Sequence, residues 1–182
     1  MEQIHKNLWN SAGKAGFALG LVSSAYLFIN QFTAGMNVPF LSSILSFVLW
    51  AAKFGGCIWL MKFFMTKFVS ENTSADNSTS FKFGVVTALL SAMVYAAFSF
   101  ANTAYFSADM IAENMDTVMQ AYSQFMDSNT LSKMDKMIAK MPQITFFSNL
   151  IYCFIFGTIL SLILSRNIPN RNPFASDNAD EQ

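Results

Sequence analysis

Charged residues are scarce in this chain. Asp, Glu, Lys and Arg make up 12% of its 182 residues, whereas 53% are apolar and 20 are phenylalanine. Soluble domains carry about 25% charged residues, so an ordinary soluble domain could not cover so large an apolar fraction with so few charges. Acidic and basic residues balance to a net charge of zero. The chain therefore lacks the basic footprint of a nucleic-acid-binding protein.

Residue types that carry catalysis or bind metals are equally sparse. The one histidine is His5, in the N-terminal tail, and the sequence has no GxSxG, P-loop, HExxH or CxxC pattern. The two cysteines, Cys57 and Cys153, both lie in apolar runs. This placement favours buried free thiols over a disulfide framework. We therefore expect a non-enzymatic protein with no catalytic residue, metal ligand or cofactor.

The chain is rich in long apolar runs, at about 14–33, 40–64, 83–105 and 144–165. At 1.5 Å per residue, each is long enough to cross a hydrocarbon core of about 30 Å. We predict one membrane domain over residues 1–182, an all-α integral membrane four-helix bundle. A five-residue link at 34–38 makes the first two runs a helical hairpin. The polar stretch 67–81 predicts a loop, and the polar tail 166–182 predicts disorder.

The segment 107–143 differs from the four runs because it is charged and periodic. Its apolar residues recur at helical spacing, which predicts an extracytoplasmic amphipathic helical insert between the third and fourth spans. Seven of the 12 methionines lie in it. A Met-rich face adapts well to a binding partner, but such a face also packs on a bundle or lies in the headgroup plane. The methionines have no His or Cys nearby, so a soft-metal site is not expected.

Lys53 lies near the middle of the second run, FLSSILSFVLWAAKFGGCIWLMKFF. A lysine at that depth costs about 2.5–3.5 kcal/mol on insertion scales, and an intramembrane charge is a functional-site hypothesis by default. No acidic residue lies in any of the four runs. The remaining partners are Ser24, Tyr26 and Tyr95, backbone carbonyls, or a lipid phosphate reached by snorkelling.

Small residues recur every four positions in three of the runs, so each set lines one face of a helix. In lipid, such a face allows two helix backbones to approach closely. The candidate packing residues are Gly16, Gly20, Gly84 and Gly157. The pattern leaves open whether each stripe meets a helix of the same chain or of another subunit.

The basic residues indicate an orientation. With four spans, both termini lie on one side, together with seven of the ten Lys and Arg residues other than Lys53. The remaining three, Lys133, Lys136 and Lys140, lie in the amphipathic insert. The positive-inside rule therefore predicts cytoplasmic N- and C-termini.

The layout as a whole resembles a known family. It combines a helical hairpin, a polar loop, a restart at Phe81, Lys82, Phe83 and Gly84, an acidic-start amphipathic insert and a final helix with Gly157. This resembles the uncharacterised small bacterial inner-membrane proteins of the domain of unknown function 4199. The resemblance implies a four-helix, multi-pass protein of the bacterial inner membrane and implies no activity.

Two functions follow from these features. The first is a non-enzymatic assembly or accessory protein with a Met-rich extracytoplasmic face, whose partners are the lipid bilayer and either a second copy or another membrane protein. The alternative is a small transporter or channel component that uses Lys53. A membrane-embedded enzyme acting on lipid is disfavoured, since no carboxylate pair or His cluster occurs in the apolar runs.

Overall fold

The structure, a computed structural model, describes residues 2–34, 39–72, 75–122 and 127–168. Every regular element within these ranges is a helix. The helices are α1 (Glu2–Ala34), α2 (Pro39–Glu71), α3 (Asn77–Ala101) with a π-helical turn after it (Asn102–Phe106), α4 (Ala108–Tyr122), α5 (Ser128–Ala139) and α6 (Met141–Asn167). The predicted all-α fold is confirmed.

Four of these helices are long and apolar enough to cross a membrane. The candidate spans are Asn7–Asn30, Ser43–Glu71, Asn77–Phe106 and Met141–Asn167. They match the four apolar runs in number and order. The helical insert between the third and fourth spans is present as α4 and α5. The link at 35–38 and the predicted disordered tail beyond residue 168 lie outside the described residues.

Helix α3 is the centre of the bundle. It packs along α1 on one side and α6 on the other, whereas α2 leans mainly on α1 and touches α3 and α6 little. Gly16 and Gly20 of α1 meet successive turns of α3 in the same order along the chain. Between α3 and α6 the order is reversed, because Gly84 meets Ser161 and the later Ala88 meets the earlier Gly157. Helices α1 and α3 are therefore parallel and α6 is antiparallel, so α1 starts at the end of the bundle where α6 finishes.

Many buried residues of the bundle are small, and several carry a hydroxyl group, whereas many large apolar side chains lie on its outside. Thr87, Ser161 and Ala96 are completely buried. Large side chains face outward, such as Phe47 at 68% exposure and Trp59 at 64%. A soluble protein buries most of its large apolar side chains. The inverted distribution is what helices surrounded by lipid require, because small interior residues permit close packing and lipid covers the apolar exterior.

The four candidate packing glycines lie at the crossings with α3. A Cβ at Gly16 would lie 2.7 Å from the Leu90 Cβ and 2.9 Å from the Thr87 carbonyl oxygen, and one at Gly20 would lie 2.6 Å from the Val94 Cβ. These contacts place both glycines of α1 directly against α3.

The glycines of the second crossing do the same for α3 and α6. A Cβ at Gly84 would lie 2.6 Å from the Ser161 Oγ, and one at Gly157 would lie 2.6 Å from the Ala88 Cβ. The stripes on these two helices thus face each other within one chain. Side chains larger than hydrogen have no room at any of the four positions without a shift of a helix.

The predicted loop at 67–81 is much shorter in the structure, and this part of the prediction is wrong. Helix α2 continues to Glu71 and α3 begins at Asn77. The reason is tertiary: the Phe68 ring stacks on the Phe83 ring with centroids 4.3 Å apart, and both residues are buried. This pair holds the end of α2 against the start of α3, which favours helix over the local preference of Ser, Asn and Asp for loops.

Asp76 fixes the start of α3. Its carboxylate accepts hydrogen bonds from the Thr79 backbone N–H at 2.7 Å and from the Thr79 hydroxyl at 2.6 Å. The hydroxyl and then the backbone N–H lower the pKa of this carboxyl group, because both favour its ionised form. Asp127 caps α5 in a similar way, because its carboxylate accepts a hydrogen bond from the Thr130 backbone N–H at 3.0 Å.

The close crossing of α1 and α3 leads to a prediction about Gly16. The substitution Gly16→Ala should lower the free energy of unfolding by about 1–3 kcal/mol, because the new Cβ overpacks against a Cβ and a backbone oxygen of α3. The matched control is Gly13→Ala, since a Cβ there has nothing within 4 Å and alanine is the better helix former.

Thermal unfolding of the purified protein in mild detergent compares the two variants. The Gly16→Ala protein should melt below the wild type, while the Gly13→Ala protein should melt at or above it. Equal melting temperatures for both variants would show that α1 does not depend on close approach to α3.

Candidate functional site

A cleft opens where α2 stands away from α3 and α6. It has a volume of about 90 Å³. All four long helices contribute to it because α2 rests mainly on α1 and leaves a gap on its other side. The lining residues are Leu19, Ser23, Lys53, Phe54, Cys57, Met61, Ala88, Ser91, Ala92, Tyr95, Tyr152, Cys153, Phe156, Gly157 and Leu160.

Lys53 is the charged residue of this cleft, and its ammonium group is held by two tyrosines. The Nζ donates a hydrogen bond of 3.3 Å to the Tyr95 hydroxyl. It also lies 4.4 Å from the centroid of the Tyr95 ring and 4.9 Å from that of Tyr26. Both tyrosines are among the partners that the sequence suggested. The third, Ser24, instead donates to the Gly20 carbonyl at 2.7 Å.

The Lys53 side chain points into the bundle and does not snorkel. Nine residues separate it from Lys62 and fourteen from Pro39, the first residue of α2, which places it about 14 Å and 21 Å along the helix from these positions. Contacts with rings from α1 and α3 fix the head group on the cleft side of α2. A lipid phosphate is therefore not its partner in this conformation.

Among the residues that the structure describes, no carboxylate forms an ion pair with Lys53. The sequence has no acidic residue at membrane depth in the four apolar runs. Within the described ranges, the structure shows one ion pair, between the Lys67 Nζ and Glu71 Oε1 at 3.9 Å, and it lies on the exposed end of α2. Each tyrosine ring contributes about 0.5–2 kcal/mol of cation–π attraction, which offsets part of the desolvation of the amine.

Both cysteines face the same cleft, which the sequence interpretation did not foresee. Cys57 and Cys153 are free thiols on α2 and α6, and the Ser23 Oγ lies 3.4 Å from the Cys57 Sγ. The spacing of four residues between Lys53 and Cys57 already put them on one helical face. The position of Cys153 depends on how α6 packs, and no local pattern reports that.

The neighbouring glycines, Gly55 and Gly56, lie within an unbroken α2. A Cβ at either position would have nothing within 4 Å, so they do not mediate a helix crossing as the four packing glycines do. The described residues include no cluster of three or more His, Cys, Asp or Glu side chains that could hold a metal ion. The polar groups that line the cleft are an ammonium group, phenolic and serine hydroxyls and thiols, which suit binding of an acceptor or an anion.

The Lys53–Tyr95 contact should be measurable as a coupling energy. In a double-mutant cycle of Lys53→Met and Tyr95→Leu, we expect about 1–2 kcal/mol of favourable coupling from the ring and the hydroxyl. The matched control is Lys62→Met with Tyr95→Leu, because Lys62 is an exposed lysine of the same helix. Thermal or denaturant unfolding in detergent gives both cycles. Equal coupling in the two cycles would contradict the contact.

A protein-family model matches most of this chain. Neither the curated proteins nor the solved structures include a match to this chain. The family model described as "Protein of unknown function (DUF4199)" matches residues 14–166. This range begins within α1, ends one residue before the end of α6 and includes both helices of the insert. The chain therefore belongs to the DUF4199 family of proteins of unknown function.

Proposed function

We propose that the chain is a non-enzymatic accessory protein of the bacterial inner membrane that binds a membrane partner through the α4–α5 hairpin. The partner is a helical segment of either a second copy or another membrane protein. The observation that carries the proposal is the isolation of this hairpin. Among the described residues, α4 contacts only α5 and the π-helical turn, α5 contacts only α4 and α6, and α4 has no buried residue.

The apolar face of the hairpin is only partly covered. Met115 and Met119 on α4 and Met134 and Ile138 on α5 are half-buried. Around them, Met110, Val118 and Met137 remain 40–51% exposed. The hairpin thus leaves a flexible, Met-rich apolar surface partly exposed, which a partner can cover.

Charge favours a protein partner over the lipid surface. Helix α4 carries Asp109, Glu113 and Asp116, all exposed. An interfacial helix binds anionic lipid through Lys and Arg on its polar face, and these acids would be repelled there. The basic residues lie instead on and just after α5. Helix α5 itself carries Lys133 and Lys136 beside Asp135, so the acids of the hairpin concentrate on α4 and its lysines on and after α5. This uneven charge suits recognition of a partner with complementary charges.

The orientation of the chain rests on the basic residues of the bundle. Lys14, Lys62, Lys82 and Arg166 are all exposed and lie near the end where α1 starts and α6 finishes. The positive-inside rule puts that end in the cytoplasm. Both termini would then be cytoplasmic and the hairpin would face the other side of the membrane.

Cysteine accessibility checks this orientation. In a background with Cys57→Ser and Cys153→Ser, a membrane-impermeant maleimide should label Ser132→Cys on intact spheroplasts, because α5 faces outward. It should label Ser78→Cys, at the opposite end of the bundle, only after lysis. The reverse pattern would show that the hairpin is cytoplasmic.

Site-specific cross-linking checks the binding surface. A photoreactive benzoylphenylalanine at Met137 should form a discrete protein adduct in membranes, because this side chain is exposed on the apolar face. The same group at Ser132, exposed on the polar face of α5, serves as the control. The mass of the adduct distinguishes a second copy from another protein. Native mass measurement in mild detergent should show the same partner.

Two outcomes would contradict the proposal. One is equal cross-linking from Met137 and Ser132, and the other is lipid adducts alone together with a monomer free of any co-purifying protein.

The alternative function, a transporter or channel component that uses Lys53, has weaker support. An ion or proton pathway usually combines several polar and acidic residues at membrane depth, and the four apolar runs contain no acid.

A further inference from the structure

We propose that the Lys53 cleft binds the carboxylate head of a long-chain fatty acid, whose tail lies in the bilayer along α2 and α6. This inference goes beyond the partner-binding function proposed above. It depends on other residues than the α4–α5 hairpin, so either can fail without the other.

The first argument is charge complementarity. Lys53 is held by two tyrosine rings and one hydroxyl and has no carboxylate at its depth. Ammonium–carboxylate hydrogen bonds are about twice as strong as neutral ones. A carboxylic acid would therefore supply the counter-ion that the four apolar runs do not contain.

A pair formed by the Lys53 amine and a carboxylic acid has no net charge, which suits a membrane interior. A neutral acid can transfer its carboxyl proton to a neutral Nζ, which gives one carboxylate and one ammonium. A charged lysine and a carboxylate anion give the same pair directly. In each case the bound pair is neutral overall, and no further reactant is needed.

The second argument is the polarity of the cleft along its length. The lining extends from Lys53 to Met61 on α2, from Tyr95 to Ala88 on α3, and from Tyr152 to Leu160 on α6. On each helix the lining is polar at the Lys53 end and apolar at the other. The eight residue steps on α2 correspond to about 12 Å. A ligand with a polar head and an apolar chain matches this gradient.

The size of the cleft limits what enters it. A cavity of about 150 Å³ holds a molecule such as benzene, so the volume of about 90 Å³ here suits a carboxyl group and a few methylene groups. Tyr152 lines the cleft and is 61% exposed, which places it at the mouth. Beyond it, Ile155 continues the exposed apolar surface of α6. The rest of the tail would lie on that surface among the lipids.

Depth favours a fatty acid over a phospholipid. The cleft-side Lys53 lies about 14 Å along α2 from Lys62, which is exposed near the proposed cytoplasmic end. A phospholipid phosphate stays ionised and would have to leave the headgroup region to reach it. A fatty acid can cross the hydrocarbon as the neutral acid and ionise only on binding.

The tyrosine beside Lys53 completes the site. The Tyr95 hydroxyl accepts a hydrogen bond from the Nζ at 3.3 Å, so its own hydrogen is available to donate to a carboxylate oxygen. The ammonium group has two further hydrogens for the same carboxylate. Lys53 and Tyr95 would thus hold the head group at two points.

Photolabelling of the full chain in nanodiscs of neutral phosphatidylcholine tests the site. The probe is palmitic acid with a diazirine in its chain, and mass spectrometry locates the adducts. We expect labelling of α2 and α6 beside the cleft, and at least a tenfold loss of labelling in Lys53→Met. Labelling of the Tyr95→Phe variant should fall several-fold, because this substitution removes one hydrogen-bond donor. Lys62→Met, on the exposed face of α2, should label like the wild type.

Three results would overturn the proposal. Undiminished labelling of Lys53→Met would show that the charge does not recognise the probe, and equal labelling by the methyl ester of the probe would show an apolar contact only. Complete displacement of the probe by phosphatidylglycerol in the nanodisc would assign the site to a phospholipid head. Because Lys53→Met removes a desolvated charge, it should fold, and its melting temperature checks this.

Discussion

The close approach of α1 and α6 to α3 is the interaction on which the rest of the structure depends. Lipid is as apolar as the side chains, so helices in a bilayer associate through packing contacts and hydrogen bonds and gain little from the hydrophobic effect. Gly16 and Gly20 bring α1 onto α3, and Gly84 and Gly157 bring α3 onto α6. Helix α2 has two adjacent glycines with open space around them instead. It therefore leans on α1 and leaves the cleft open on its other side.

The position of Lys53 follows from this difference between the tightly packed helices α1, α3 and α6 and the loosely packed α2. On the faces where α1 and α6 pack against α3, the helices approach too closely to leave space for a long side chain. On α2, the loosely packed helix, the ammonium group enters the gap and reaches the rings of Tyr26 and Tyr95. The aromatic contacts thus offset part of the cost of desolvating the amine. The ammonium group lies in the cleft and has three hydrogens to donate there.

The sequence predicted the parts of this fold that depend on composition and period. Four apolar runs imply four spans, and small residues at every fourth position imply close helix faces. The partner of each stripe was not predictable, because it depends on contacts between distant turns such as Gly157 with Ala88. The stacking of Phe68 on Phe83 is likewise tertiary, and it extends two helices into a polar stretch that reads locally as a loop. For the site, Lys53 and its tyrosines were visible in the sequence, but the shared cleft with Cys153 was not.

The hairpin and the cleft are connected through the two helices that pack most tightly. The Asn149 side chain of α6 donates to the Ser99 hydroxyl of α3 at 2.7 Å. Ser99 lies one turn from Tyr95, and Asn149 lies one turn from Cys153, so this bond closes the α3–α6 pair beside the cleft. The π-helical turn follows α3 just after Ser99, and the Ser107 N–H donates to the Asn102 carbonyl at 2.8 Å across this turn. Helix α4 begins directly after it. The Asn149–Ser99 bond therefore holds α6 against α3 beside the cleft, and α6 is also the helix to which α5 leads.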